Sequence, residues 1–480
     1  MFDRIPENPG RVKITPENGG AAYYATMERA DNPVQEGTPL NKETLLTDKT
    51  AALYEKDGNA VPNEIFESLY DARKKVGDIK VTLRTDLGEK WLLANGSVFD
   101  IGEYPALAEM LPAPTQLERL QQANIPANFY GADYANGICV SLGSRASSSG
   151  TYRWIGSLDG LNTFKDLGIS SSWRQVVQYD EGSDTWVMAH YGSAATSFAT
   201  KDPVNGIWTE KTISTMAEKY AHIHGQNGLW VAVGTQSSRN SSREVTSSTW
   251  VSTTTDPING TWSTEKQIGN RGAGNQDYAA VFYHNGIWVI ATAYEESASA
   301  GGGGGIVTYT TTDPVNGSWT MRKVASNSQS WYMNSIQAHD GTWVMTVYDG
   351  YGCYMYTTTD PVNGEWTASS RLTFSSGGAT YSSPFFYTRC LRWHMGKWYA
   401  LASANVSSGT ACFLISTDNN GETWDAIDMG VTYGRSLCTD GKILIAQTTY
   451  STSSNSAYYL AYKLPTITTD NAYTYIKAKE

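Results

Sequence analysis

Thr311-Thr312-Asp313-Pro314-Val315-Asn316-Gly317-Ser318-Trp319 is the stretch that decides how this chain is read. Close copies stand at Asp202-Pro203-Val204-Asn205-Gly206-Ile207-Trp208, Asp256-Pro257-Ile258-Asn259-Gly260-Thr261-Trp262 and Asp360-Pro361-Val362-Asn363-Gly364-Glu365-Trp366. Their tryptophans follow one another at intervals of 54, 57 and 47 residues, near the period of one four-stranded propeller blade. The expectation is a repeat protein, mainly β. It is a seven-bladed β-propeller, with a six-bladed ring as the other count, preceded by a small α/β attachment region.

The unit is clearest over 220–267. Two strands flank the tight turn Gln226-Asn227-Gly228, a polar loop follows, a third strand runs to Thr255, and Asp256–Gly260 turns the chain into a fourth. Turns of the first kind recur at Glu181-Gly182-Ser183-Asp184, His284-Asn285-Gly286, His339-Asp340-Gly341, His394-Met395-Gly396 and Thr439-Asp440-Gly441. The units fall near 127–168, 173–212, 220–267, 276–324, 331–372, 385–429 and 434–480, with the first and last degenerate. Tyr473–Lys479 is expected to be the outermost strand of the last unit, so that the ring closes by packing alone.

In the repeated motif the Asp caps backbone N–H groups, Pro presets φ, Asn-Gly accepts φ > 0 and Trp packs between neighbouring units. The pairs Asp202/Trp208, Asp256/Trp262, Asp313/Trp319 and Asp360/Trp366 therefore have a structural task. Weaker copies, Asp418 to Trp424 and Asp159 to Phe164, share it. The set resembles the Asp-box of sialidase-like propellers, which implies fold far more than activity.

Strand alternation places the repetitive turns at one end of every unit and the unlike loops at the other. Variable loops on a rigid scaffold are where binding concentrates. They and their flanks carry Trp173, Arg174, Tyr278, Tyr294, Trp331, Tyr332, Tyr348, Asp349, Tyr351 and Tyr381. Aromatic faces beside polar groups suit a sugar, which offers C–H faces to stack and hydroxyls to bond.

Catalytic patterns are weaker. Asp277, Glu295, Glu296 and Asp349 are carboxylates, and Arg174, Arg239, Arg243 and Arg271 cations, on the variable side, but they do not form the spaced pair that glycosidases use. No catalytic residue is assigned. His222 and His224 share a strand face without a sequence-adjacent third ligand, so they read as core histidines, and no metal or cofactor is expected.

Composition narrows the partners. A net charge of −11 without a basic run excludes a general nucleic-acid binder. No apolar run is long enough for a membrane helix, so no membrane insertion is expected. The five cysteines lack paired spacing and read as buried free thiols. The N-terminus lacks a signal-peptide pattern, which implies folding in the cytoplasm of the producing cell.

Before the repeats, residues 1–60 are polar and punctuated by Pro and Gly, an attachment arm with one short helix expected after Asn41. A second helix is expected from Pro62 to Gly77. Residues 61–112 form a small domain and 113–126 a linker, ahead of a propeller over 127–480. Within the small domain, Trp91-Leu92-Leu93-Ala94-Asn95-Gly96 followed by Tyr104-Pro105-Ala106-Leu107 resembles the collar domain of bacteriophage tail fibres. Arg29-Ala30-Asp31-Asn32-Pro33 and Gly37-Thr38-Pro39-Leu40-Asn41 resemble the attachment region of phage and prophage tail proteins.

Those resemblances imply a receptor-binding protein of a virion or phage-tail-like particle, acting outside the cell. Residues 1–111 would dock on tail or baseplate proteins, the propeller would bind a host cell-surface glycan, and a homotrimer would be the default assembly. Two other readings stand beside it. One is a propeller glycoside hydrolase or depolymerase acting on host surface polysaccharide, the other a purely structural tail decoration protein.

Overall fold

The computed structural model describes residues 11–14, 19–21, 23–26, 77–82, 87, 90–95, 97–100, 103–111, 114, 117–119, 127–145, 150–157, 162–170, 174–191, 195–214, 220–239, 245–270, 279–295, 303–327, 331–382, 384–407, 409–450, 454–461, 463 and 473–479. Two compact units result, residues 1–78 with Glu480, and residues 79–479. In the first, Arg11–Ile14 pairs antiparallel with Tyr23–Thr26. The helices expected after Asn41 and from Pro62 lie outside the described residues.

The second unit is mainly β. Seven separate four-stranded antiparallel sheets begin at Ala127, Arg174, Tyr220, Ala279, Tyr332, Phe385 and Tyr433. Among the described residues no sheet closes on itself. Instead the first strands touch in cyclic order: Ala127–Ala135 meets Arg174–Asp180, and so on round to Tyr433–Thr439, which meets Ala127–Ala135 again.

Local chemistry explains the hairpins between first and second strands. Asn227 and Gly228, Asn285 and Gly286, and Asp340 and Gly341 all take positive φ, the pairing that a two-residue turn needs to match strand twist. Each following tryptophan (Trp230, Trp288, Trp343) is buried. Apolar residues from adjacent sheets form shared cores, as where Val187 and Ala189 pack with Ile223 and Trp230. All five cysteines are buried and none is in a disulfide.

First strands of neighbouring sheets are joined through side chains. Asp133 accepts the Tyr179 N–H at 2.8 Å, Gln178 Oε1 that of Gly225 at 3.1 Å, and His284 Nε2 that of Gly341 at 3.0 Å. Buried Asp180 accepts the N–H groups of Asn227 at 2.9 Å and Gly228 at 2.6 Å. These bonds satisfy edge N–H groups that no ladder reaches.

Two strand assignments differ from expectation. Tyr473–Lys477 is not the outer strand of the last sheet; it is the middle strand of a small sheet, between Ile79–Thr82 and Trp91–Leu93. The last sheet is completed by Glu118–Arg119, which precedes the first sheet and pairs with Tyr458 and Tyr459. Glu118 also accepts Tyr459 Oη at 2.7 Å and an ion pair from Lys463 at 2.5 Å. Both ends of the chain's second unit are thus tied across long sequence separations. Pro105–Met110 forms a short helix, with Pro at its start and Leu107 fully buried.

The repeated motif is a turn at each of its four full copies. Asp202, Asp256, Asp313 and Asp360 each accept two backbone N–H groups, from Val204 and Asn205, Ile258 and Asn259, Val315 and Asn316, and Val362 and Asn363, at 2.8–3.1 Å. These bonds, that from the Asn first, hold each carboxyl below its usual range. Trp262 is buried and donates to Ser197 Oγ of the preceding sheet at 2.9 Å. At the copy from Asp418 to Trp424 the glycine stands one position earlier, and the roles change. Asn419, not Asp418, caps the turn by accepting Thr423 N–H at 3.0 Å, while Asp418 lies 3.8 Å from Lys397. The copy at Asp159 lies outside the described residues.

Candidate functional site

Two places in the ring bring chemistry-bearing side chains together. The first is at the end with the long loops. Tyr348-Asp349-Gly350-Tyr351-Gly352 is a tight loop in which Asp349 Oδ1 accepts the N–H groups of Tyr351 at 2.8 Å and Gly352 at 2.9 Å. Gly350 takes φ 88° and its carbonyl accepts Tyr348 Oη at 3.0 Å. The turn thereby projects Tyr351 outward, 56% exposed, with Arg371 bonded to its carbonyl. Beneath it Tyr348 packs against Tyr332 at 5.7 Å and Phe385 at 4.9 Å between ring centroids. Phe385 is 48% exposed. At the same end of the seventh sheet Tyr433 is exposed, with Arg435 5.6 Å from its ring.

Of the residues expected to bind, Tyr332, Tyr348, Asp349 and Tyr351 therefore come together. Asp349 serves as the turn's cap. Trp331 is buried and donates to Asn327 Oδ1 at 2.7 Å, and Asn327 in turn donates to the Asp349 carbonyl at 3.0 Å. Tyr294 is 1% exposed, inside the core of the fourth sheet, so packing takes it away from any ligand. Tyr381 is half-buried against Phe374 at 5.3 Å and Phe413 at 5.0 Å. Arg174 opens the first strand of the second sheet. Trp173 and Tyr278 lie outside the described residues, as do Asp277, Glu296, Arg243 and Arg271.

The second place is the axis. All seven first strands contribute to a cavity of about 380 Å³. Its wall includes Asp133, Gln178, His222, His224, Phe282, Gln337, His339, Arg389, Arg392 and Trp393. They lie in the middle and later parts of their strands, so the cavity sits toward the end with the hairpin turns. There it adjoins a second cavity of about 720 Å³, which shares Asp133 and Thr439 and adds Asp100, Glu181, Asp440 and Lys442.

Electrostatics at the axis follow from enclosure. Desolvation, partly opposed by the Arg392 charge and the N–H bonds from Tyr179 and Tyr134, pushes the Asp133 carboxyl up to about 6. Burial, then the charges of Arg389, His224 and Arg392, hold His222 well below its ordinary range. Burial pulls His224 down to about 3. Both imidazoles are neutral at physiological pH. Gln178 Oε1 is fixed by Gly225 N–H, so its Nε2 donates to His224 Nδ1 at 2.6 Å. That places the ring proton of His224 on Nε2, a buried atom with no hydrogen-bond partner.

The expectation for His222 and His224 as core histidines missed that their strand faces the axis. Nothing in the local pattern marks such residues, since each lies one unit away from its neighbours. A signal existed only in register: polar residues recur two to four positions before the hairpin turns, at Asp133, Gln178, His222, His224 and Gln337. Among the described residues no group of three or more His, Cys, Asp or Glu could hold a metal ion. No helix among them is long and apolar enough to cross a membrane.

The chain matches no family model and no curated protein. Solved structures of similar fold include an ulvan lyase, a polysaccharide lyase bound to -[GlcA(1-4)Rha3S]-, at 9% identity over 78% of this chain and 96% of that one, with a TM-score of 0.47. Others are the β-propeller domain of the Trilobed protease from Pyrococcus furiosus (10% identity, 70% and 97% covered, TM-score 0.43) and the α-L-arabinanase of Penicillium chrysogenum complexed with arabinobiose (12%, 73% and 98%, 0.40). At such identities and overlaps neither activity nor ligand passes to this chain.

Proposed function

We propose that the chain is a glycan-binding protein in which residues 118–461 form a seven-bladed β-propeller and the loop end of the ring contacts the sugar. The observation that carries this reading is the aromatic group of Tyr332, Tyr348, Tyr351 and Phe385, two of whose members are strongly exposed beside a rigid, Asp349-capped loop. Such faces stack on sugar C–H surfaces at low entropic cost. The cyclic contact of seven first strands supports the blade count.

Attachment is the role given to residues 1–111. The resemblance of the collar-like stretch to tail-fibre collars supports a place on a phage-tail-like particle, with a homotrimer as the assembly and multivalency raising weak single-site affinity. The test is binding of the full chain to a glycan array, followed by Tyr351→Ala and Phe385→Ala. Binding that survives both substitutions unchanged would remove the loop end from the reading.

A second reading, catalysis on the polysaccharide, is favoured by one observation. Burial raises the Asp133 carboxyl to about 6, so that a group able to exchange a proton close to working pH stands on the cavity wall that His222 also lines. Its test is release of new sugar ends from host surface polysaccharide, lost in Asp133→Asn.

A further inference from the structure

Arg389 and Arg392 are three residues apart in Phe385–His394. In a regular strand an odd separation sends two side chains to opposite faces. Here both line the axial cavity. The cause is a break in register between Phe386 and Leu391, within which Arg389 adopts φ 61°. A left-handed conformation is costly for a residue with a side chain, and such strain is retained where the surroundings require it. Four of the six other first strands also carry a break in register, but Arg389 is the only non-glycine residue of a first strand, among those described, with positive φ.

The product is a local reversal of charge. The chain as a whole carries −11, yet the cavity wall holds two guanidinium groups against one carboxylate, Asp133, with uncharged His222 and His224. Arg392 Nη1 donates to the carbonyls of Leu391 at 2.8 Å and Arg389 at 3.4 Å, which fixes the group on the cavity wall. The buried Nε2–H of His224 supplies a further donor without an acceptor. With two guanidinium groups, one carboxylate and the buried Nε2–H of His224, the wall favours an acceptor-rich, anionic occupant.

The adjoining cavity has the opposite balance, with Asp100, Glu181 and Asp440 against Lys442. An anion gains at the arginines and loses at that mouth. A ligand that carries a carboxylate at one end and hydroxyls at the other fits this polarity, with the hydroxyls donating to Asp133 and Gln337. Trp393, stacked on His339 at 4.5 Å, and Phe282 offer apolar wall for a sugar ring. We propose that the axial cavity is a second binding site, distinct from the loop-end aromatic surface, and that it takes a carboxylated saccharide of about one uronic acid residue. It stands whether or not the loop-end surface binds glycan; it also names the charge of the substrate that the catalytic reading would use.

The test is titration of the full chain with glucuronate, glucose and acetate, followed by ligand-observed NMR and calorimetry. Glucuronate is expected to bind about 10- to 100-fold more tightly than either of the others, the ratio set by charge-assisted bonds to the arginines. The preference is expected to weaken with salt, to disappear in Arg389→Gln and Arg392→Gln, and to persist in Tyr351→Ala. Equal binding of glucose would overturn the role of the carboxylate, and equal binding of acetate the role of the sugar. Because these comparisons use the unaltered protein, they decide the matter even if an arginine variant does not fold. Retained preference in a folded double variant would equally overturn it.

Discussion

Glu118 and Tyr459 are joined twice, by antiparallel backbone pairing and by the Tyr459 Oη bond to the Glu118 carboxylate at 2.7 Å, although 341 residues separate them. This contact completes the seventh sheet with a strand that precedes the first. Closure of the ring is therefore a matter of hydrogen bonds as well as packing. Arg119→Pro, which removes a donor and fixes φ in that strand, is expected to destabilise the ring by about 1–3 kcal/mol. Calorimetry should show a lower melting temperature and loosened protection of Ser454–Ala461 in hydrogen exchange; unchanged protection would contradict closure by this strand.

The motif copies should behave as separate structural parts. Trp262 is buried between the second and third sheets, so Trp262→Ala is expected to cost about 3–5 kcal/mol. At Gly317 an added Cβ would lie 2.4 Å from the Asp313 carbonyl oxygen. Gly317→Ala should accordingly cost about 1–3 kcal/mol. Denaturant unfolding checks both. Neither variant should alter glycan binding, since the motifs lie at the hairpin-turn end.

Acid should destabilise the protein in a range set by buried histidines. Burial depresses His222, which faces Val281 N–H, Arg389, Arg392 and His224. His224, facing Gln178, Asp180 and Arg392, falls to about 3, and His394, facing Thr439, the Leu460 backbone and Asp100, to about 4. A depressed histidine favours the folded state above its unfolded pKa of about 6.5 and loses that advantage as pH falls. Asp133, raised to about 6 among Arg392, Asp440 and the Tyr179 and Tyr134 N–H groups, acts in the opposite sense. Three histidines outweigh one carboxyl, and the loss by pH 4 should be on the order of several kcal/mol. Melting temperatures from pH 7.5 to 4 should fall, with a shallower fall in His394→Gln. A flat profile would mean that relief of the net negative charge dominates.

Strands and turns were legible wherever local chemistry repeats. Asn227-Gly228 and its counterparts announce hairpins by their φ requirements, and Asp313-Pro314-Val315-Asn316-Gly317 announces the outer turn. Pairing between distant segments left no such mark. Glu118-Arg119 is two residues long and has no alternation, while Tyr473–Lys477 reads as a strand without saying which edge it meets. The loop-end aromatics were half legible: residue type identified Tyr348 and Tyr351, but burial removed Tyr294 and Trp331. The axial residues were hidden because Asp133, His222 and Arg389 belong to three sheets, and Arg389 reaches the cavity only through a bulge that sequence alternation cannot reveal.

Glycan recognition at the loop end is tested most directly by applying the unaltered chain and the Tyr351→Ala/Phe385→Ala double variant to one glycan array at equal concentration. The expected result is binding of the unaltered chain to a defined subset of glycans, reduced at least about tenfold in a double variant of unchanged melting temperature. Absence of binding by the unaltered chain, or equal binding by both proteins, would contradict it.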